Sequence, residues 1–289
     1  MNFARMLNPL EQLLLMLEAE IQCPEPWGMF HIVSLGIVAI LIVFLYQHRK
    51  THSEEQLKLV LGMYSVIALL LEVGKQLIWS FNYDIATQVV TWDYQWYAAP
   101  FQLCTTPMYV CLVCLFLKKG KIRDTLLSYV AYITILGSMS MMILPDSCFS
   151  TDLLVTVHTT YLHFGSFVVS VYLLMSGEVL ICRKALMRAV GVFLAFVLMA
   201  NLLNDIVYQS GVLAGETFNM FYISQYFVSV LPVFSTIQPL VPYAVFLLLY
   251  ITALCTGGFV VYNIAFLCEC YWKHLHIPGF TMKQAKYFH

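Results

Sequence analysis

The sequence predicts an all-α, polytopic membrane protein, and three observations lead to this fold class. Of the 289 residues, 61% are hydrophobic and only 11% are charged, whereas soluble globular domains carry about 25% charged residues. Seven segments are long and apolar enough to cross the hydrocarbon layer as helices, which takes about 20 residues each. Lys and Arg residues collect on alternate connections between those segments, which is the pattern of the positive-inside rule.

The first 28 residues precede these segments, and we expect them to form an amphipathic helix on the outer membrane interface. Three glutamates interrupt the apolar run and no small-residue cleavage site follows, so the segment is expected to be retained and not removed as a signal peptide. Pro24 and Pro26 are expected to end the helix. Its apolar face consists of Phe3, Met6, Leu7, Leu10, Leu13, Leu14, Leu17 and Ile21.

The charge distribution predicts the orientation of the seven segments. Of the 15 basic residues, 13 fall on one side; the opposite side has only Arg5, and Lys75 lies inside the second segment. We therefore expect the N-terminus outside and the C-terminus in the cytoplasm. The segments are predicted at 29–46, 59–81, 99–117, 125–144, 154–182, 189–208 and 240–266.

The chain is predicted to be one domain, residues 1–289. It would consist of the interfacial helix at 1–28, the seven-helix bundle at 29–266 and a cytoplasmic tail at 267–289. The aromatic-rich stretch 209–239 is expected to lie in, or re-enter, the outer interface.

Several classes of protein fit the composition poorly. The net charge of −1 offers no basic surface for a nucleic acid. The last apolar segment has no Lys that could form a retinal Schiff base, which argues against a rhodopsin. The third segment ends without the acidic-arginine pair of G-protein-coupled receptors. The two halves of the chain also lack the symmetry expected of a transporter. Cys111 and Cys114 form a lone CxxC in mid-helix, so we expect neither a metal nor a cofactor.

Two charged residues lie where charge is expensive. Glu72 and Lys75 stand three residues apart within the second apolar segment, close enough for an ion pair on one helical face. The pair is either a purely structural one or part of a site. We expect Glu72 to be buried, with Lys75 or a site histidine as its partner.

A set of polar residues shares one depth near the outer ends of the helices, which predicts a polar cavity there. Cys104 is the obvious nucleophile, placed by this interpretation in the first helical turn after Pro100, and a thiol needs a base to form thiolate at neutral pH. The alternative is a buried packing thiol. His158 and His163 are about 140° apart around their helix, so both cannot face one point. The candidate set is His31, Glu72, Gln102, Cys104, Asp146, His163, Asn201 and Asn204.

From Pro100 to Cys104 the sequence resembles the YwaF-like integral membrane family, in which a helix begins with Pro-x-x-Leu-Cys. Further landmarks follow in the same order between His31 and Tyr250. They are Phe30-His31, Glu72 ahead of Ile78-Trp79, Gly137 followed by 142–146, His163-Phe164-Gly165, 201–204 and Val241-Pro242-Tyr243.

A eukaryotic branch of that family is an endoplasmic-reticulum acyltransferase that acts on ether phospholipids through a cysteine and a later histidine. The resemblance implies that Cys104 is the nucleophile and His163 its base, with a phospholipid and a lysophospholipid as substrates. The membrane is expected to be a bacterial plasma membrane, or the endoplasmic reticulum in a eukaryote. The alternative is a non-enzymatic lipid-binding protein or small-solute permease that uses the same cavity.

Overall fold

The computed structural model describes residues 7–49, 52–145 and 148–274, and most of these residues are helical. Six of the described helices are long and apolar enough to cross a membrane, so the chain is a multi-pass integral membrane protein. In chain order the elements are α1 (Pro9–Leu17), α2 (Met29–Gln47), α3 (Glu54–Ser80), β1 (Phe81–Asp84), β2 (Val89–Trp92), α4 (Thr106–Phe116), α5 (Lys121–Tyr129), a π-helical turn (Val130–Thr134), α6 (Ile135–Ile143), α7 (Leu153–Met175), α8 (Arg183–Gln209), α9 (Phe234–Ile237) and α10 (Tyr243–His274).

Helix α1 is shorter than the predicted interfacial helix. Asn8 and Glu11 form a capping box at its start, because each side chain accepts a hydrogen bond from the other residue's backbone N–H. The helix ends at Leu17, well before Pro24, so the expectation that prolines end it is wrong. Residues 1–6 of the predicted helix, with Phe3 and Met6, lie outside the described residues.

Helix α4 is also shorter than the third predicted segment, and its start corrects the role given to Pro100. The helix begins at Thr106 and has Pro107 in its first turn, where the missing proline N–H costs no hydrogen bond. Residues 99–105 form turns instead, in which the Thr105 hydroxyl accepts from the Gln102 N–H at 3.0 Å. Cys104 therefore precedes the helix and does not lie in its first turn.

The segment containing α4 runs between the two ends of the bundle. At one end the Gln102 side chain bonds to residues 219–221, which follow α8. At the other end Lys119 lies 3.3 Å from Glu178, which follows α7. Since α7 and α8 are consecutive, these two places are opposite ends of the helix pair.

The core lies between α3, α4, the α5–α6 helix, α7 and α8. Helix α3 packs on α4 and α7, and α5 packs on α8. Tyr129, Tyr132 and Tyr172 are among the largest side chains that are completely buried there. Helices α2 and α10 are the least buried of the apolar helices, which leaves their side chains to contact lipid.

A β-hairpin that the sequence analysis did not predict joins α3 to the turns before α4. Strands β1 and β2 pair antiparallel, with Phe81 opposite Trp92. The Asp84 carboxylate closes the turn by accepting hydrogen bonds from the backbone N–H groups of Ala86 and Thr87. The hairpin packs on α1 and on the end of α3.

Candidate active site

A buried ionic cluster on α3 lies beside the segment that carries Cys104. Glu72 is 2% exposed, and its Oε1 is 2.8 Å from the ammonium group of Lys75. Its Oε2 is 2.8 Å from Nε2 of His158 on α7. The expectation that Glu72 is buried and partnered is confirmed, and both kinds of partner are present.

Gln76 connects this cluster to the polypeptide before Cys104. Its amide donates to Glu72 Oε1 at 2.8 Å and to the carbonyl oxygen of Ala98 at 2.6 Å. The ionic cluster therefore positions the chain six residues before Cys104.

A second network holds the loop after α8 against the turns before α4. Gln102 donates to the carbonyl of Asn219 at 3.0 Å and accepts from the N–H of Phe221 at 2.8 Å. The Asn204 side chain likewise makes two hydrogen bonds to the backbone of Met220. It donates to the carbonyl at 3.1 Å and accepts from the N–H at 2.7 Å. Both side-chain amides are therefore hydrogen-bonded to the backbone of this loop at their NH2 group and at their oxygen.

The loop held in this way is buried and strained. Phe221 and Tyr222 have φ angles of 57° and 56°, a region that non-glycine residues enter at a cost. Phe221 is completely buried and stacks on Phe101 at 5.5 Å. This part of the 209–239 stretch packs inside the protein, where irregular backbone is tolerated because protein groups satisfy it.

Asn201 and His31 also have structural partners. The Tyr243 hydroxyl approaches Asn201 Oδ1 at 2.7 Å, which links α8 to α10. His31 is completely buried; its Nδ1 accepts from the Trp27 N–H at 3.1 Å, so Nε2 carries the proton and donates to the carbonyl of Met142 at 3.1 Å. With both ring nitrogens bonded, His31 does not act as a base.

Cys104 and His163 differ from the five residues described above. Each keeps part of its surface accessible, although both lie deep among neighbouring groups. Cys104 is a free thiol in the turn before α4. Within the described residues neither side chain is hydrogen-bonded to another side chain.

Tyr64 of α3 contacts the backbone next to His163. Its hydroxyl donates to the carbonyl of Leu162 at 3.2 Å. A Cβ at Gly165 would come within 2.9 Å of the Tyr64 ring. The glycine two residues after His163 therefore permits the close approach of α7 to α3.

Aromatic rings pack on the turn that carries Cys104. Phe196 of α8 packs against Phe101 at 6.1 Å and against Tyr129 at 5.2 Å. Tyr250 of α10 packs against Phe193 at 6.5 Å and Phe234 at 5.2 Å. The ionic cluster therefore holds the chain before the turn, and aromatic rings pack against the turn itself.

Two parts of this site were not identified from the sequence. The histidine partner expected for Glu72 was not named as His158, although a buried carboxylate and a histidine at similar depth are the signal for such a pair. Asn219 was overlooked; its side chain donates to the carbonyl of Phe227 at 3.2 Å and accepts from the Ser224 N–H at 2.8 Å. Asp146 lies outside the described residues.

A comparison with family models identifies the relatives of this fold. The model described as the TMEM164 family matches residues 26–262, a range that contains every described residue of the site. No curated protein and no solved structure matches the chain. The matched range covers most of the chain, which therefore belongs to the TMEM164 family.

Proposed function

We propose that this protein is a membrane-embedded phospholipid acyltransferase that works as a CoA-independent transacylase through an acyl thioester on Cys104. The observation that carries the proposal is the difference between the candidate residues. His31, Glu72, Gln102, Asn201 and Asn204 have partners in the scaffold, whereas Cys104 and His163 are half-buried and have no side-chain hydrogen bond within the described residues. Residues that are held in place but not used by the scaffold are those available for chemistry.

In the proposed reaction His163 takes the thiol proton and the Cys104 sulfur attacks the carbonyl carbon of a phospholipid ester. A C–S bond forms while the electron pair of the carbonyl moves to oxygen. When the C=O bond re-forms, the ester C–O bond breaks and the departing lysophospholipid oxygen takes the proton from His163. A second lysophospholipid then receives the acyl group by the reverse sequence, so no cofactor is consumed.

The surroundings of Cys104 suit an ester with a long apolar chain. Phe101, Phe196 and Phe221 present aromatic surface next to the turn, which favours an acyl chain. The resemblance to the YwaF-like family, with its acyltransferase branch, supports the same pair of residues.

The proposal includes seven crossings, with the N-terminus outside and Cys104 near the outer leaflet. The seventh crossing is the 99–119 segment, whose 11-residue helix α4 extends about 16 Å. Its non-helical start is enclosed by protein, which allows such backbone at membrane depth. At this position the thiol would meet phospholipid esters but not cytoplasmic acyl-CoA.

The direct test is transfer of a labelled acyl chain from a phospholipid to a lysophospholipid in vesicles that contain the purified protein. Cys104→Ser keeps the shape but provides a much weaker nucleophile, so we expect transfer to fall by at least about 100-fold. His163→Gln is expected to slow formation of the thioester. Cys255→Ser and His48→Gln are matched controls away from the site and are expected to keep transfer.

The acyl adduct itself separates this proposal from its rival. During turnover the wild-type protein is expected to carry a hydroxylamine-labile acyl group on Cys104, detectable by mass spectrometry of the peptide. Full transfer by Cys104→Ser, or the absence of any adduct on wild type, contradicts the proposal. Either result leaves the lipid-binding or permease function, which needs no covalent step.

A further inference from the structure

Tyr250 has a buried hydroxyl group without a partner, and the scaffold gives it no evident use. The side chain is 1% exposed, and its oxygen finds no hydrogen-bond partner within the described residues. Leaving a buried polar group unsatisfied costs about 1–3 kcal/mol. Such groups are rare in folded proteins and call for a specific explanation.

The other buried tyrosines of the described core have a hydrogen-bond partner for their hydroxyl group. The Tyr129 hydroxyl is 2.6 Å from that of Thr106, Tyr132 donates to the carbonyl of Leu180 at 2.9 Å, and Tyr172 meets His52 at 2.9 Å. These tyrosines are buried to a similar degree. Burial alone therefore does not account for an unpaired phenol at position 250.

The position of Tyr250 relates it to the proposed nucleophile. It lies seven residues into α10, about 10 Å along the helix axis from the outer end. Phe193, Phe234 and Phe246 pack around its ring. Phe193 lies on α8 one helical turn from Phe196, which packs on Phe101 in the Cys104 turn at 6.1 Å. Tyr250 and the Cys104 turn thus pack against neighbouring rings of the same helix.

We propose that Tyr250 is a further catalytic residue, whose hydroxyl donates a hydrogen bond to the carbonyl oxygen of the acyl group as the Cys104 sulfur attacks it. This inference rests on the proposed function and adds a group to it. Attack places negative charge on that oxygen, and a donor fixed in an apolar site stabilises the charge more than water does. A phenol, with an ordinary pKa near 10, stays protonated at neutral pH and is always ready to donate.

The scaffold is suited to hold this donor ready. The rings around Tyr250 exclude water and keep its side chain in one place, so little reorganisation is needed when charge develops. In the resting protein the hydroxyl has no competing acceptor among the described residues. The substrate carbonyl then supplies the partner that is missing.

The test uses Tyr250→Phe in the full-length protein, with phosphatidylcholine carrying a labelled acyl chain as donor in vesicles. Removing one oxyanion donor is expected to slow acyl transfer by about 100-fold with little change in the KM for the donor. Tyr132→Phe is the matched control, because its hydroxyl is paired with a backbone carbonyl at the opposite end of the bundle. It is expected to keep transfer within about threefold of wild type.

Two further measurements separate a catalytic from a structural role. Tyr250→Phe removes an unpaired hydroxyl and is expected to unfold at the same temperature as wild type or higher, whereas Tyr132→Phe loses a hydrogen bond and is expected to unfold at a lower one. Alkylation of Cys104 by iodoacetamide develops no oxyanion. Its rate, followed by mass spectrometry of the Cys104 peptide, is therefore expected to be unchanged in Tyr250→Phe.

The outcomes distinguish this inference from the proposed function. If wild type transfers acyl groups and Tyr250→Phe does so within about threefold of it, Tyr250 is not a donor and the transacylase stands. If Cys104 alkylation and transfer slow together, Tyr250 acts on the structure of the site and the inference is wrong. If wild type transfers nothing, both proposals are wrong.

Discussion

At the residue scale, the polar groups of this protein differ in whether the fold already uses them. The side-chain amides of Gln102 and Asn204 each use their NH2 group and their oxygen in hydrogen bonds to the backbone of one loop. Cys104, His163 and the Tyr250 hydroxyl have no such use. Buried polar groups are normally hydrogen-bonded. Those without a hydrogen bond are therefore the better candidates for catalytic residues.

Glu178 is the residue on which most charged groups converge at the other end of the bundle. Its Oε1 is 2.9 Å from His52 and 3.3 Å from Lys119, and its Oε2 is 3.5 Å from the buried guanidinium of Arg123. The hydrogen bond from His52, helped by Lys119, lowers the pKa of the Glu178 carboxyl to about 2 despite its burial.

This lowered pKa predicts acid sensitivity. In the unfolded chain Glu178 titrates near its ordinary pKa of 4.5, so the folded state gains stability from the carboxylate above that pH and loses it as the pH falls towards 2. We expect Glu178→Gln to lower the unfolding temperature at pH 7, with the difference from wild type shrinking at pH 4 and 3. Thermal unfolding in detergent across this pH range measures the effect.

Glu18 provides a control of opposite sign. Its burial, with Asp152 nearby, raises the pKa of its carboxyl, so the ionised group opposes folding at neutral pH. Glu18→Gln is expected to raise the unfolding temperature at pH 7, and this gain is expected to vanish at acid pH. A Glu178→Gln variant as stable as wild type at pH 7 would contradict the account of the charged network.

The sequence could indicate candidate site residues but not their partners on other helices. Cys104, His163 and Glu72 stand out because nucleophiles and charges are conspicuous in apolar segments. The contacts of Glu72 with His158 and of Gln102 with Phe221 join residues far apart in the chain. Such contacts depend on helix packing, which no local pattern of residues contains.

At the element scale, hydropathy predicted the long helices well but not the irregular pieces between them. The third segment contains two prolines. The helix begins at Thr106, beside Pro107, and not at Pro100, because Thr105 stabilises a turn between the two prolines. The hairpin of β1 and β2 was missed since its strands have only four residues each. Turns of this kind depend on single hydrogen bonds. The mean hydropathy of a long window does not detect them.

The π-helical turn between α5 and α6 is where α10 approaches most closely. The turn widens the helix locally, and the Val130 carbonyl there accepts hydrogen bonds from Thr134 and from Ser170 of α7. On α10, a Cβ at Gly258 would lie 2.7 Å from Ile133 and 3.3 Å from the carbonyl oxygen of Tyr132. A small residue is therefore needed for this contact.

A larger side chain at this crossing is expected to push α10 away. We expect Gly258→Leu to reduce the free energy of unfolding by about 1–3 kcal/mol, because it overpacks a contact with backbone. Gly191→Leu on α8 is the matched control, since a Cβ there meets nothing within 4 Å. Chemical denaturation of both variants in detergent compares them, and equal stability would contradict the packing described for α10.

At the scale of the whole molecule, the two ends of the bundle have different chemistry. One end gathers Cys104, the amide network and the buried 218–224 loop. The other end has Glu54 at the start of α3, Arg123 in α5, His52 before α3 and Glu178 after α7, which ion pairs connect. The charged network thus holds these helices together at the end of the bundle opposite to Cys104.

The proposed topology depends on whether the 99–119 segment crosses the membrane. Ile85, in the hairpin turn before this segment, is 78% exposed, and the side chain of Lys119, after it, is 60% exposed. If the segment crosses, the two residues lie on opposite sides of the membrane. If only the six long helices cross, they lie on the same side.

Single reporter cysteines at these two positions decide between six and seven crossings. In a background where the exposed Cys23, Cys268 and Cys270 and the partly exposed Cys104, Cys182 and Cys255 are replaced by serine, we expect Ile85→Cys to react with a membrane-impermeant maleimide from outside sealed cells. Lys119→Cys is expected to react only after permeabilisation, because Lys and Arg on that side favour the cytoplasm. Reaction of both from the same side would contradict the seventh crossing, and reaction of Lys119→Cys alone from outside would reverse the orientation and place Cys104 at the cytoplasmic leaflet, within reach of acyl-CoA.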